Sequence, residues 1–400
     1  MVRVQSTGPT SIQLPVLGKP PVTLRRDEWL EMSAPDDLRY VLAPTPNGAV
    51  MRADRTLAPY RLTTKGAEPV TVKCRIDWEE VHVGCVPGQW TEVDRVAHHN
   101  LRRKHDVVRI QTPTDLLSEN PSARILIQRD GGLGDLLFMT AAVRALLRKF
   151  PDARLYLATK QSWKALMART GLFEDVFDFA ECYDHAPFDM DCDVCNLVET
   201  HPRRMDDIRF DIFADAFGTP CDGDYKMVCK PAETSAHHLL PEDLRNPVAI
   251  DLQGSSWVRR PTPAYCVELI TLLAQEGFTP VGVMFPNPTW WPAGVGVDLN
   301  GCSSEDLFSV MNNTATVSVD TGTLHAAIAL GSPTVGLFGP IASNLRVDSA
   351  PKVICLDSPE QCTGCVANRG RCSVTTNAQC FDQIPQGWIT DSLRQVTGWR

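Results

Sequence analysis

The residues best placed to do chemistry are those that could gather an anion. In Val319-Asp320-Thr321-Gly322-Thr323-Leu324-His325, a small-residue turn follows an apolar run and opens a helical pattern. Thr321, Gly322 and Thr323 put backbone N–H groups at a helix start, where the macrodipole also favours negative charge. Their small side chains let a diphosphate come close. His325, in the first turn, either donates to a phosphate oxygen or packs against the loop. The same residues also suit a plain capped helix start. A second turn of this kind is Arg129-Asp130-Gly131-Gly132-Leu133-Gly134-Asp135, and a third is Gly254-Ser255-Ser256 ahead of the pair Arg259-Arg260. His201, Arg203 and Arg204 offer charge to an anionic acceptor such as an acidic sugar, or are surface charges at a helix start. Near the C-terminus, Cys362, Cys365, Cys372 and Cys380 form one Cys-x2-Cys pair with two further thiols. That set suits a structural zinc; free thiols or a local disulfide are the alternative.

These turns need elements to hold them. Arg124–Gln128 reads as a buried parallel strand, Leu136–Phe150 as a helix with apolar residues at helical spacing, and Arg154–Ala158 as the next strand. The same order recurs after Pro247, with strands over 248–252, 280–285, 315–319 and 334–338. Helices lie between them over 264–276, 307–311 and 323–330. The fold class is therefore α/β, with two Rossmann-like domains facing one another and ligands expected in the cleft at the C-terminal ends of the strands. Residues 1–120 differ: short β-favouring runs such as Val70–Cys74 and Val81–Cys85 are broken by Pro, Gly and charge, which indicates an extra N-terminal β-rich module. The domain limits follow as 1–120, 121–240 and 241–400, with 112–123 as a linker. Trp290 and Trp291 either stack on a base or sugar or pack locally.

Composition narrows the function. The 400 residues are 43% hydrophobic and 22% charged, with a net charge of −9. An acidic balance disfavours nonspecific nucleic-acid binding without excluding a local basic groove. No run approaches the roughly 18 apolar residues of a membrane helix, and Met1–Pro21 lacks the apolar stretch of a signal peptide. A cytoplasmic location is expected. The Gly131–Gly134 turn lacks the G-x-G-x-x-G spacing, and the strand over 154–158 does not end in an acid, which argues against a dinucleotide-dependent enzyme.

The ordered run from Asp320-Thr321-Gly322-x-x-His325 through Ala326, Ala329-Leu330-Gly331, Pro333 and Leu337-Phe338-Gly339-Pro340 resembles the C-terminal signature of glycosyltransferase family 9, the bacterial heptosyltransferases. Gly134-Asp135-x-Leu137-x-x-Thr140 with Phe150-Pro151-Asp152 resembles the family's opening motif, and Arg209–Gly218 its mid-domain helix. The resemblance spans about 123–385. It implies a GT-B fold, with the acceptor on the N-terminal half near Gly132 and Gly134 and a nucleotide sugar on the C-terminal half. It further implies Asp135 as general base of an inverting transfer needing no metal. The donor diphosphate, of an ADP-sugar by preference, would lie on Gly254, Ser255, Ser256, Arg260, Asp320, Thr321, Gly322, Thr323 and His325. Arg260 stands at the family's lysine position. The family's ribose-holding acid after the next strand is missing, since that stretch reads Phe285-Pro286-Asn287-Pro288. The implied acceptor is a lipopolysaccharide core or other glycan. The alternatives are a catalytically inactive scaffold on the same fold and a transferase acting on a modified nucleic-acid base.

Overall fold

The computed structural model describes residues 110–400 apart from 180, 186–187, 196, 202–205, 231–238, 255–256, 348–349, 360–379 and 400. Before residue 110 it describes chiefly the backbone of short paired strands. Those strands are antiparallel, the longest pair being Val70–Ile76 with Glu79–Cys85. The basic run Arg102–His105 lies outside the described residues, as do Arg203, Arg204, Ser255, Ser256, Cys362, Cys365 and Cys372.

The stretch 112–123, expected as a linker, instead opens with helix α1 (Pro113–Glu119). The reason is local: Thr112 and Asp115 form a reciprocal capping box, and Pro113 sits at the first helical position, where no N–H is needed. Leu116 and Leu117 are buried in the core of the first α/β half, so that half reaches back to Thr112.

The first half is a parallel sheet of β1 (Arg124–Gln128), β2 (Arg154–Thr159), β3 (Asp175–Asp178) and β4 (Met190–Asp193), in the order β3-β2-β1-β4. Helix α2 (Leu133–Lys149) follows β1, α3 (Gln161–Arg169) follows β2, and α4 (Leu197–Thr200) and α5 (Arg209–Phe217) follow β4. The continuous apolar run of β1 is buried because helices cover both faces.

The second half is a parallel sheet of β5 (Pro247–Asp251), β6 (Thr279–Gly282), β7 (Val297–Asp298), β8 (Ala315–Val319), β9 (Thr334–Phe338) and β10 (Val353–Asp357). Their order is β7-β6-β5-β8-β9-β10, the doubly wound arrangement that reverses direction between β5 and β8. Its helices are α6 (Pro263–Gln275), α7 (Ser304–Asn312), α8 (Gly322–Leu330) and the C-terminal α9 (Gln386–Thr397). Strand β6 ends at Gly282 rather than at Phe285. Beyond it the Met284 N–H donates to the Asn300 side chain at 2.7 Å and the Met284 carbonyl accepts from the Gly301 N–H at 2.8 Å, which ties the chain to the segment after β7.

The halves meet. One buried apolar cluster contains Leu136, Met139 and Phe210 of the first together with Phe308, Ala326 and Ala327 of the second. Arg169 also reaches across to both Glu305 carboxylate oxygens at 2.7 Å. Among the described residues no helix is long and apolar enough to cross a membrane.

Candidate active site

The site lies where α2 and α8 approach each other start to start. Neither helix has a side-chain cap: Gly132 has no side chain to offer, and Thr321 spends its hydroxyl elsewhere. The first-turn N–H groups of both therefore face the cleft. Glycine permits the approach. A Cβ on Gly322 would lie 2.8 Å from that of Leu133, and one on Gly134 would lie 3.0 Å from the His325 ring. Asp135, adjacent to Gly134, is thereby held next to the start of α8.

Asp135 is 18% exposed at its side chain and bound by two arginines. Arg129 donates to one oxygen at 2.5 Å and Arg209, from the first turn of α5, to the other at 2.9 Å. Arg129 is fully buried, anchored by a 2.8 Å hydrogen bond to the Val194 carbonyl. Its guanidinium fills the space that a side chain at position 131 would need, which accounts for Gly131.

Across the cleft, Asp320 is the hub. It is bound by the His325 Nε2 at 3.1 Å and by Arg259 at 2.9 Å, with the Arg346 Nε at 3.7 Å. Burial by itself would raise its pKa, but the His325 hydrogen bond and the nearby arginine charges outweigh that and hold the carboxyl well below the usual range. Burial has the opposite consequence for His325: the ring is 2% exposed and its pKa is lowered despite Asp320, so it is neutral and donates from Nε2. Its Nδ1 has no hydrogen-bond partner among the described residues, and the ring packs on Phe138 of α2 at 4.4 Å between centroids. Arg346 is buried between both halves, and desolvation with Arg209 nearby lowers it to about 10.

A further carboxylate supports the loop from beneath. Asp251, at the end of β5, accepts from the Thr321 hydroxyl at 3.2 Å and is also hydrogen-bonded by Thr323. Burial raises its pKa. Thus four guanidinium groups face the paired carboxylates of Asp135 and Asp320 beside two helix starts, and the balance of charge favours an anion.

The expected residues fall into groups. Asp135, Asp320, Thr321, Gly322, Thr323, His325, Gly132 and Gly134 gather at this junction. Arg260 does not: it is exposed and reaches Gln253 at 3.3 Å, while its neighbour Arg259 turns inward to Asp320. Gly254 lies against the Arg259 backbone. His201 stands with Asp207 and Asp215, their ligand atoms within 4.8 Å of one another, so its setting is acidic. Trp290 and Trp291 pack against the second-domain core. Of the four cysteines only Cys380 is described, partly buried ahead of Phe381. The sequence reading did not single out Arg129, Arg346 or Asp251. Their only signal was position, since Arg129 and Asp251 each stand at a strand end.

Comparison with known proteins follows this geometry. Residues 305–373, from α7 past β10, match the family model of glycosyltransferase family 9 (heptosyltransferase). No curated protein matches by sequence. The chain is similar in structure to a family 9 glycosyl transferase from Veillonella parvula, at TM-score 0.55 and 11% identity, covering 68% of this chain and 97% of that one. It is similar to the ADP-heptose lipopolysaccharide heptosyltransferase II of E. coli at TM-score 0.52 and 12% identity, covering 68% and 98%. It is also similar to the dodecameric iron-containing heptosyltransferase TibC of enterotoxigenic E. coli, solved with ADP-D-beta-D-heptose, at TM-score 0.55 and 14% identity, covering 89% and 98%. The fold is that of GT-B glycosyltransferases.

Proposed function

We propose that this chain, glycosyltransferase family 9-like in fold and in its signature segment, is an inverting transferase that moves a sugar from a nucleotide diphosphate sugar to an acceptor hydroxyl. One observation carries the reading: Asp135 directly follows Gly134, whose backbone packs against Gly322 and His325 at the uncapped start of α8, so a candidate base and an anion site share one junction. An acceptor hydroxyl takes the place of one arginine contact on Asp135 and gives up its proton to that carboxylate. Its oxygen attacks the anomeric carbon on the face away from the leaving group, the bond to the β-phosphate oxygen breaks, and the configuration inverts. The nucleoside diphosphate leaves with its charge held by the first-turn N–H groups of α8 and by Arg259 and Arg346.

The donor is an ADP-sugar, heptose or similar, in line with the ADP-heptose bound by TibC. The acceptor is a glycan or lipopolysaccharide-core hydroxyl. Cys362, Cys365, Cys372 and Cys380 hold one structural metal ion; four thiolates suit zinc or iron, and TibC is iron-containing. The chemistry at Asp135 involves no metal.

The test is a panel of nucleotide sugars assayed for thermal stabilisation and nucleoside diphosphate release. Asp135→Asn should bind the same donor as the wild type and turn over about 100-fold to 10,000-fold more slowly. A variant that keeps full activity removes Asp135 as the base.

A further inference from the structure

Among the described residues, two large apolar side chains stand exposed, Phe285 and Trp388. Trp388 belongs to α9, in the helical layer that covers the sheet face. Phe285, 78% exposed, stands instead past the C-terminal end of β6, at the end of the sheet where open α/β folds take their ligands. The backbone presenting it is fixed, because the Met284 N–H and carbonyl are both held by Asn300 and Gly301, and the Met284 side chain is fully buried. The ring is therefore displayed outward from a pinned position.

Its place relative to the diphosphate is set by the sheet. From β8, whose following helix would hold the phosphates, β5 is the next strand and β6 the one after it. Two strand spacings amount to about 10 Å, comparable with the length of a nucleoside. The other aromatic residues of this loop, Trp290 and Trp291, are partly buried and packed against the second-domain core. The chain from Val283 to Pro292 has no Asp or Glu, so no carboxylate there can grip a ribose.

We infer that Phe285 is the platform on which the base of the donor nucleotide stacks, taking over by ring contact the anchoring that an acidic side chain would give through the ribose. This rests on the transferase reading above. A π-face accepts any base, so selection at this position follows ring area rather than hydrogen-bond pattern.

The experiment is calorimetric titration of the full chain with ADP and with inorganic pyrophosphate, for wild type, Phe285→Ala and Phe285→Trp, alongside thermal melting. The inference expects Phe285→Ala to bind ADP about tenfold more weakly while binding pyrophosphate like the wild type and melting at the same temperature. Phe285→Trp should keep wild-type ADP affinity. Equal ADP affinity in wild type and Phe285→Ala overturns the stacking role and leaves the transferase reading intact. So does an equal loss of pyrophosphate affinity or a lowered melting point, either of which marks Phe285 as a support of the loop. A wild type that binds neither ADP nor pyrophosphate overturns both readings.

Discussion

At the scale of single residues, Asp320 and His325 show how burial assigns charge. Both are buried in contact with each other: burial keeps the imidazole neutral, while the His325 hydrogen bond and the arginine charges keep the carboxylate ionised. A pH dependence follows with a definite sign. The unfolded chain protonates His325 below about pH 6.5, whereas the folded chain resists, so stability falls as pH drops from there toward the lowered folded value. Asp320 adds a loss of the same sign at lower pH, below about 4, where its unfolded carboxyl begins to protonate. Melting of wild type and His325→Gln at pH 7.5 and 5.5 checks this: wild type should lose more stability between the two. A second residue-scale prediction separates adjacent arginines. Arg259→Ala should raise the donor KM about tenfold, the cost of a lost charge-assisted contact, and Arg260→Ala should change it far less. Steady-state kinetics that reversed this order would return the phosphate to the exposed side chain.

At the scale of elements, the site is defined by two helices without side-chain caps, α2 and α8, whose starts meet. Thr112, Thr262 and Ser303 cap α1, α6 and α7 with their side chains, whereas α2 and α8, like α3, α5 and α9, start without one. At α2 and α8 the partner is left to the cleft. The price is close packing, since the Leu133–Gly322 contact leaves no room for a methyl group. Gly322→Ala should destabilise the fold by about 1–3 kcal/mol and slow transfer further, because pushing α8 away from α2 separates the base from the anion site. Denaturant unfolding with parallel activity assays measures both effects. The equivalent change at the exposed Gly387, which has nothing within 4 Å, should do neither.

At the scale of the molecule, the halves are joined through apolar contact and a partly exposed ion pair. Arg169 and Glu305 are accessible enough that their pairing contributes little, about 0–1 kcal/mol, and the buried cluster through α2 and α8 carries the junction. The metal proposed for the C-terminal thiols is tested separately from this junction. Elemental analysis of the purified chain should find about one zinc or iron per molecule, lost in the Cys362→Ser, Cys365→Ser double variant while the donor still binds. A wild type that carries no metal removes that proposal.

What the sequence determined by itself was whatever depends on neighbours along the chain. The buried runs of β1, β5, β8 and β9, the helix after each glycine-rich turn and the Asp320–His325 loop were legible because apolar periodicity and turn chemistry are local. Even the α1 cap was there to be read in Thr112, Pro113 and Asp115, beneath the Pro-rich look of 112–123. Tertiary structure alone decided which arginine faces inward. A short turn of 3-10 helix, Trp257–Arg259, points Arg259 at Asp320 and leaves Arg260 outside. It alone also brought Arg129, Arg209 and Arg346, far apart in the chain, to one pair of aspartates. Electrostatic fields add over distances in space, and a linear pattern carries no record of which distant charges will share a cleft.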